Sequence, residues 1–217
     1  AENPQQCVAV GCGKALGVRQ ILTDSWATAE RQGAEATGGQ ARGWLLPVRP
    51  SWDMRQALWA YRTELLAHGE TRINGSCGLA FFDDFEEWLA VATSVVKGKF
   101  PEKVFTRAPF LMRVEDESVL GPFKSVNATQ ALQVHRGHIG YAIRPTERGR
   151  GYGKQQLMLA LGEAKKLGLP RVMISCDQEN TPSSRTIRSC GGVLEKETLF
   201  QDRLQQVFWL ETGLSGD

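Results

Sequence analysis

Apolar residues recur at helical spacing in three parts of the chain. After Ser51, a residue type that caps helices, Leu58, Tyr61 and Leu65 fall on one face, and a glycine can end the segment. This pattern predicts a helix over residues 52–68. A second helix is predicted over 83–97, where acidic residues occupy the first turn, and a third over 152–167, where Gly168 ends the pattern.

Strands are predicted where apolar residues alternate or form short buried runs. Residues 104–115 alternate, residues 137–144 form a strand that ends at Pro145, and residues 171–176 form a short buried strand. A short helix over 182–189 and two closing strands near 192–199 and 205–211 complete the chain. Residues 119–136 are ambiguous, because Pro122 and a polar stretch interrupt their short apolar runs.

The first 47 residues differ from the rest of the chain. They are rich in Gly, Ala and Gln, and their few large apolar residues form only a thin stripe. We therefore predict a weakly specified N-terminal extension over residues 1–47 and a single domain over residues 48–217.

Composition narrows the class of protein. The 217 residues, 41% of them hydrophobic, suit one globular domain, and no apolar run approaches the roughly 20 residues of a membrane-spanning helix. A net charge of +2 does not indicate a nucleic-acid partner. Five cysteines without metal-ligand spacing are expected to be reduced thiols that bind no metal. From the composition as a whole we also expect no membrane or nucleic-acid partner and a cytoplasmic location.

The most informative segment is Arg148-Gly149-Arg150-Gly151-Tyr152-Gly153-Lys154, which lies between a predicted strand and a predicted helix. Helix N-termini present unpaired N–H groups and a positive dipole, and glycines let a phosphate approach them, so the segment predicts a phosphate site. The spacing departs from that of nucleoside-triphosphate P-loops, since Gln155 follows the lysine, and the dinucleotide motif lacks its third glycine.

The same segment resembles the acetyl-coenzyme A loop of the GNAT acetyltransferase superfamily. Ile143-Arg144-Pro145 ends the strand, and Arg148-x-x-Gly151-x-Gly153 opens the helix, as in that family. Asn180 and Ser183, after the next strand, match the family's contacts to the outer part of coenzyme A. Less specific similarity extends over residues 50–211 and is closest to a bacterial subgroup whose members mostly lack an assigned substrate.

The resemblance implies an α/β (α+β) fold, with a mixed and mostly antiparallel sheet, two splayed central parallel strands and flanking helices. It implies that N–H groups around Tyr141–Ile143 pair with the pantetheine and the thioester oxygen. The cofactor-binding residues it implies are Ile143, Arg148, Gly149, Arg150, Gly151, Tyr152, Gly153, Lys154, Asn180 and Ser183.

Catalytic groups are less clearly indicated. His138 titrates near neutral pH and begins the central strand, so it is the first candidate for the general base, with Glu70 and Asp177 as alternates. Ile187 occupies the position where many members carry a tyrosine that acts as general acid. Tyr141 is the nearest substitute for that tyrosine.

The resemblance predicts an acetyl-coenzyme A-dependent N-acetyltransferase that acts by direct transfer on a primary amine, most simply of a small molecule. A protein amine remains open as the acceptor. Two other classes compete: a non-catalytic acyl-coenzyme A-binding or regulatory module, suggested by Ile187 and the unusual 121–136 segment, and a different nucleotide-binding fold. Homodimerisation through the closing strands is an expectation from the family alone.

Overall fold

A computed structural model describes residues 45–93, 104–105, 109–113, 116–127 and 137–213. The predictions for residues 1–44, for the end of the second helix at 94–97 and for residues 128–136 lie outside this part. Strand β1 spans the domain boundary predicted at residue 47, and that boundary remains a prediction.

The element order after residue 136 is the predicted one. The strands of the described residues are β1 Leu45–Val48, β2 Val104–Phe105, β3 Phe110–Arg113, β4 Val119–Asn127, β5 Ile139–Tyr141, β6 Arg171–Asp177, β7 Val193–Phe200 and β8 Arg203–Glu211. The α-helices are α1 Arg55–Ala67, α2 Phe85–Thr93, α3 Tyr152–Lys166 and α4 Thr181–Ser189. Short 3-10 turns lie at Trp52–Met54, Leu79–Phe81 and Pro145–Glu147.

The strands form two sheets. In the first, the order is β1-β3-β4-β2, and β5 also pairs with β4; in the second, the order is β6-β8-β7. Every ladder is antiparallel. The expected α/β GNAT architecture is confirmed in its elements and in its mostly antiparallel pairing.

Strand β4 resolves the ambiguous segment after residue 118. It is a regular strand of nine residues that includes Pro122. On the β5 side the Pro122 carbonyl still accepts from the Ala142 N–H at 3.2 Å, although the reciprocal bond from a Pro122 N–H is missing. The pairing with β3 shifts between Leu111 and Met112, so a bulge adjusts the register beside the proline.

Two predicted strands are shorter than expected. Strand β5 contains only residues 139–141 of the predicted 137–144, although the N–H groups of Ala142 and Arg144 still donate to the Pro122 and Leu120 carbonyls of β4. The predicted strand over 104–115 is interrupted at Pro109, which is not part of a strand, and residues 106–108 and 114–115 lie outside the described part.

Two apolar cores support these sheets. Helices α1 and α2 pack with Phe110 and Val119 around the fully buried Trp88. Helices α3 and α4 pack with residues of both sheets, among them Phe123 and Ile139 from the first and Ile174 and Phe208 from the second. The second core therefore joins the two sheets through shared helices.

Candidate active site

Helix α3 begins at the glycine-rich segment, with Gly151 as its N-cap residue. The first helical bond runs from the Gln155 N–H to the Gly151 carbonyl at 3.4 Å, so the N–H groups of the first turn point out of the helix end. Gly149 has φ +76°, and a Cβ atom built there would meet nothing within 4 Å. The turn is thus open where a phosphate would approach, which fits the predicted pyrophosphate site.

The backbone after β5 presents alternate N–H groups to opposite sides. The Ala142 N–H donates to the Pro122 carbonyl at 3.2 Å, and the Arg144 N–H donates to the Leu120 carbonyl at 2.7 Å. Since successive residues of an extended chain point in opposite directions, the N–H of Ile143 points away from β4. This is the group that the family resemblance assigns to the pantetheine and thioester.

The start of β5 is hydrogen-bonded to β6 through His138, the residue before β5, and Met173, the third residue of β6. The His138 N–H donates to the Met173 carbonyl at 2.7 Å, and the Met173 N–H donates to Nδ1 of His138 at 2.9 Å. Beyond this point no ladder joins β5 to β6 within the described residues. The gap between the two strands thus opens toward Ile143 and the N-terminus of α3.

The cations of the glycine segment differ in their partners. The Arg148 guanidinium forms an ion pair with Glu70, and its Nε donates to the Ile143 carbonyl at 3.0 Å. Arg150 pairs with Glu147 at 3.2 Å. Lys154 is exposed and forms no ion pair with the described residues. It is the cation most readily available to a phosphate.

Tyr152 and Gly153 support the loop from within the protein. Tyr152 is buried against Leu111 and Leu120, and its hydroxyl accepts from Arg113 at 3.5 Å. Gly153 faces α4, where a Cβ atom would lie at an ordinary contact distance of 3.7 Å from the Thr186 side chain. The predicted cofactor set therefore includes residues whose contacts in the structure are internal.

Helix α4 brings Ser183 to Tyr141. Asn180 caps α4, and its Oδ1 accepts from the Ser183 N–H at 3.2 Å. The Ser183 hydroxyl lies 3.1 Å from the Tyr141 hydroxyl. Burial raises the pKa of Tyr141 to about 12, although the hydrogen bond with Ser183 opposes the shift. The Tyr141 phenol therefore stays protonated at physiological pH.

His138 is buried, and its ring nitrogen Nδ1 accepts a backbone hydrogen bond. This bond defines the tautomer that carries its proton on Nε2. Burial lowers the pKa of His138, although the bond from Met173 acts in the other direction. Taking a second proton at Nδ1 requires loss of the Met173 bond, so the geometry argues against the base role predicted from the sequence.

Asp177, an alternate candidate for the general base, is engaged with two residues of β8. Asp177 pairs with Arg203 at 2.5 Å and accepts from Gln205 at 2.9 Å. Burial raises the pKa of the Cys176 thiol. Ile187 is fully buried in the core beneath α4.

Three residues that shape the site were absent from the sequence analysis. Glu64 accepts from the Thr146 N–H and hydroxyl, at 2.9 and 2.8 Å. The buried Gln156 of α3 donates to the Gly121 and Pro122 carbonyls, at 2.8 and 3.0 Å. These contacts join residues distant in the chain, so no local pattern indicates them.

None of the described helices is long and apolar enough to cross a membrane. Within the described ranges, no group of three His, Cys, Asp or Glu side chains is arranged to hold a metal ion.

The mostly antiparallel sheets and the helix that follows the glycine-rich turn fit the acetyltransferase class of fold. The family model described as an acetyltransferase (GNAT) domain matches residues 18–193. The chain belongs to this family and is an acyltransferase that uses acetyl-coenzyme A. The matched range begins within the segment predicted as an N-terminal extension. No curated protein matches the sequence.

Solved structures of acetyltransferases have the same fold. The microcin C7 self-immunity acetyltransferase MccE, in complex with acetyl-CoA and AMP, is 15% identical with a TM-score of 0.57 over 77% of this chain and 92% of its own. A putative ribosomal-protein-serine acetyltransferase from Vibrio cholerae is 19% identical with a TM-score of 0.54, covering 79% and 95%. A spermidine N-acetyltransferase SpeG chimera from Vibrio cholerae and hSSAT is 13% identical with a TM-score of 0.54, covering 77% and 95%.

Proposed function

We propose that the protein transfers the acetyl group of acetyl-coenzyme A directly to a primary amine of a small molecule. The observation that carries the proposal is that the Ile143 N–H, turned away from β4, comes shortly before the open N-terminus of α3 in the chain. Together they offer hydrogen-bond donors to a thioester arm and to the phosphates at its other end.

Acetyl-coenzyme A supplies the acetyl group as an activated thioester. We propose that the Ile143 N–H polarises the thioester carbonyl and that the first turn of α3, with Lys154, binds the pyrophosphate. Gly149 keeps the approach to that turn clear of side chains.

Two thiols near the gap do not favour a covalent relay. Burial raises the pKa of both Cys176 and Cys190, so both are protonated at neutral pH and are weak nucleophiles. This supports direct attack by the amine on the thioester.

We propose that Tyr141 assists the leaving sulfur. Its pKa of about 12 exceeds the roughly 8.5 of an ordinary thiol, so full proton transfer from the phenol to the thiolate is unfavourable. A hydrogen bond from the phenol still stabilises the developing negative charge, and Ser183 orients the hydroxyl. Since His138 Nδ1 is engaged by Met173, we propose that the acceptor ammonium loses its proton to water.

Thermal unfolding with matched concentrations of acetyl-coenzyme A, coenzyme A, ATP and NAD tests the cofactor. A ligand at 100 times its Kd adds about 2.7 kcal/mol to the free energy of unfolding. We expect a shift of several degrees with the two coenzyme A ligands only. A shift with ATP or NAD alone would contradict the proposal.

The acceptor class needs a separate assay. Titration of released coenzyme A thiol against polyamines, aminoglycosides, amino acids and peptides with free N-termini separates small amines from protein amines. The names of the similar structures include both kinds, spermidine and ribosomal protein. Turnover with peptides but not with small amines would overturn the small-molecule part of the proposal, while turnover with small amines supports it.

The use of acetyl-coenzyme A also indicates where in the cell the protein works. A protein that consumes acetyl-coenzyme A works where that cofactor is made, and we propose the cytoplasm of a bacterium. Fractionation of the producing cells, with activity measured in each fraction, tests this.

A further inference from the structure

Two carboxylates at the C-terminal end of α1 contact the segment that leads into α3. Glu64 lies in the last turns of the helix, and Glu70 follows its end. Glu64 contacts Arg144 and Thr146, whereas Glu70 contacts Arg148. The two acids therefore hold different parts of one segment, and their effects on that segment can be separated.

Glu64 holds the backbone of the segment. One oxygen accepts from both the N–H and the hydroxyl of Thr146, and the other lies 2.7 Å from Nε of Arg144. Both side chains of the Glu64–Arg144 pair are largely buried, at 22% and 17% exposure. Burial raises the pKa of Glu64, but the hydrogen bonds from Thr146 and the positive charge of Arg144 together lower it from its usual value. The carboxylate thus fixes the chain directly after Ile143.

Glu70 holds only a side chain. Its N–H donates to the Leu65 carbonyl at 3.1 Å, which fixes it against the end of α1. Its carboxylate pairs with the Arg148 guanidinium, which also donates to the Ile143 carbonyl. This pair is more exposed, at 28% for Glu70 and 48% for Arg148, so an incoming phosphate can compete for the arginine.

A second donor lies near Glu70. The Tyr61 hydroxyl is buried and has no hydrogen-bond partner among the described residues, and after burial itself Glu70 is the group that most raises the pKa of Tyr61. A carboxylate that loses Arg148 therefore has an unused phenol nearby.

We propose that the two carboxylates act on cofactor binding in opposite directions: Glu64 is a positioning residue that orders the loop, and Glu70 is a counter-ion that competes with the pyrophosphate of coenzyme A for Arg148. The inference rests on the proposed function, since it takes the glycine segment as the pyrophosphate site. It assigns to α1 the control of cofactor affinity.

Calorimetric titration of coenzyme A into the wild type, Glu64→Gln and Glu70→Gln tests the opposite signs. Glutamine is nearly isosteric in both places, so each variant controls for the other. We expect Glu64→Gln to raise the Kd about tenfold, because the Arg144 pair is lost and the loop loosens. We expect Glu70→Gln to lower the Kd about two- to fivefold, the range that an exposed ion pair is worth.

Pantetheine separates the two roles further, because it carries the thiol arm without phosphate. Its affinity, measured by competition with acetyl-coenzyme A, should fall in Glu64→Gln and stay unchanged in Glu70→Gln. An equal gain for pantetheine and coenzyme A in Glu70→Gln would overturn the competition for Arg148.

Unfolding midpoints of the three proteins show whether a change in coenzyme A affinity reflects a change in the positioning of the loop or a general loss of stability. If both variants weaken coenzyme A binding alike, the carboxylates are merely structural and the inference is wrong, while the proposed function stands. If the wild type binds no coenzyme A, the proposed function fails and the inference fails with it. Opposite changes in Kd support both.

Discussion

At the scale of single residues, the phenol that we propose assists the leaving group comes from β5 rather than from α4. Ile187 fills the position on α4 where many family members carry a tyrosine, and it is fully buried. Tyr141 on β5 instead reaches α4 one turn earlier, at Ser183. The same region of the site thus has a phenol, although a different element supplies it.

Replacing Tyr141 with Phe removes the hydroxyl and leaves the ring packing in place. We expect kcat to fall about tenfold and the KM for acetyl-coenzyme A to change little, because the lost hydrogen bond strengthens only as charge develops on sulfur. Steady-state kinetics on any amine accepted in the screen provides the measurement. Ser183→Ala, which keeps the phenol but frees its orientation, should give a smaller loss, and an unchanged kcat in Tyr141→Phe would exclude this role.

The His138→Asn variant distinguishes two roles of His138: a buried acceptor for the Met173 N–H, or a general base. The asparagine oxygen lies about where Nδ1 does, so it can accept from the Met173 N–H, but it does not titrate. We expect kcat/KM at pH 8 to stay within about threefold of the wild type. A loss of 100-fold or more, together with loss of a near-neutral limb in the pH profile, would instead establish His138 as the base.

The stability of the wild type should also depend on pH through His138. Because the folded-state pKa of His138 is lowered from 6.5, the unfolded chain binds the proton more readily. The contribution of His138 to stability is therefore complete above about pH 6.5 and lost as the pH falls below it. Unfolding midpoints between pH 5 and pH 8 should drop less at the acid end in His138→Asn. Identical slopes would contradict this.

At the scale of elements, helix α3 was predictable, whereas β4 and the end of β5 were not. The apolar spacing of residues 152–167 and the glycines at both ends define α3 locally. Pro122 interrupts the apolar pattern of β4, and only its pairing with β3 and β5 shows that the strand continues through the proline. Local propensity indicates where a helix begins, while strand register is decided by distant partners.

Phosphate binding at the N-terminus of α3 can be tested by substituting two glycines of matched conformation. Gly149 has φ +76° and Gly168 has φ +77°, and a Cβ atom at either would meet nothing within 4 Å. Gly149→Ala and Gly168→Ala should therefore cost similar stability, about 1 kcal/mol each. Only Gly149→Ala should weaken coenzyme A binding, by about tenfold, because its methyl group enters the phosphate approach. Equal affinities of the two variants for coenzyme A would show that its phosphates do not bind at this turn.

At the scale of the whole molecule, the site depends on contacts that no local pattern shows. Glu64 and Thr146 are far apart in the chain, yet their hydrogen bonds fix the segment between β5 and α3. The glycine motif could be recognised from the sequence because its residues are consecutive. The carboxylates that hold it could not, because solvated helix faces commonly carry glutamate and only the fold brings α1 to the loop.

The two sheets meet beside Gly137, and a substitution at this residue tests whether the junction sets the width of the site. At Gly137, φ is +69°, and a Cβ atom would lie 2.6 Å from the Met173 carbonyl oxygen, so β5 and β6 can meet there only without a side chain. Gly137→Ala should cost about 3 kcal/mol, roughly 6–12 °C in the unfolding midpoint, and should weaken coenzyme A binding because the gap changes width. Gly213→Ala is the control, since its φ is +73° but its nearest neighbour is the flexible end of Lys165 at 3.8 Å, and it should cost only about 1 kcal/mol and leave affinity unchanged. If both variants lose the same stability, the backbone conformation alone explains the loss, and the junction of the sheets does not set the width of the site.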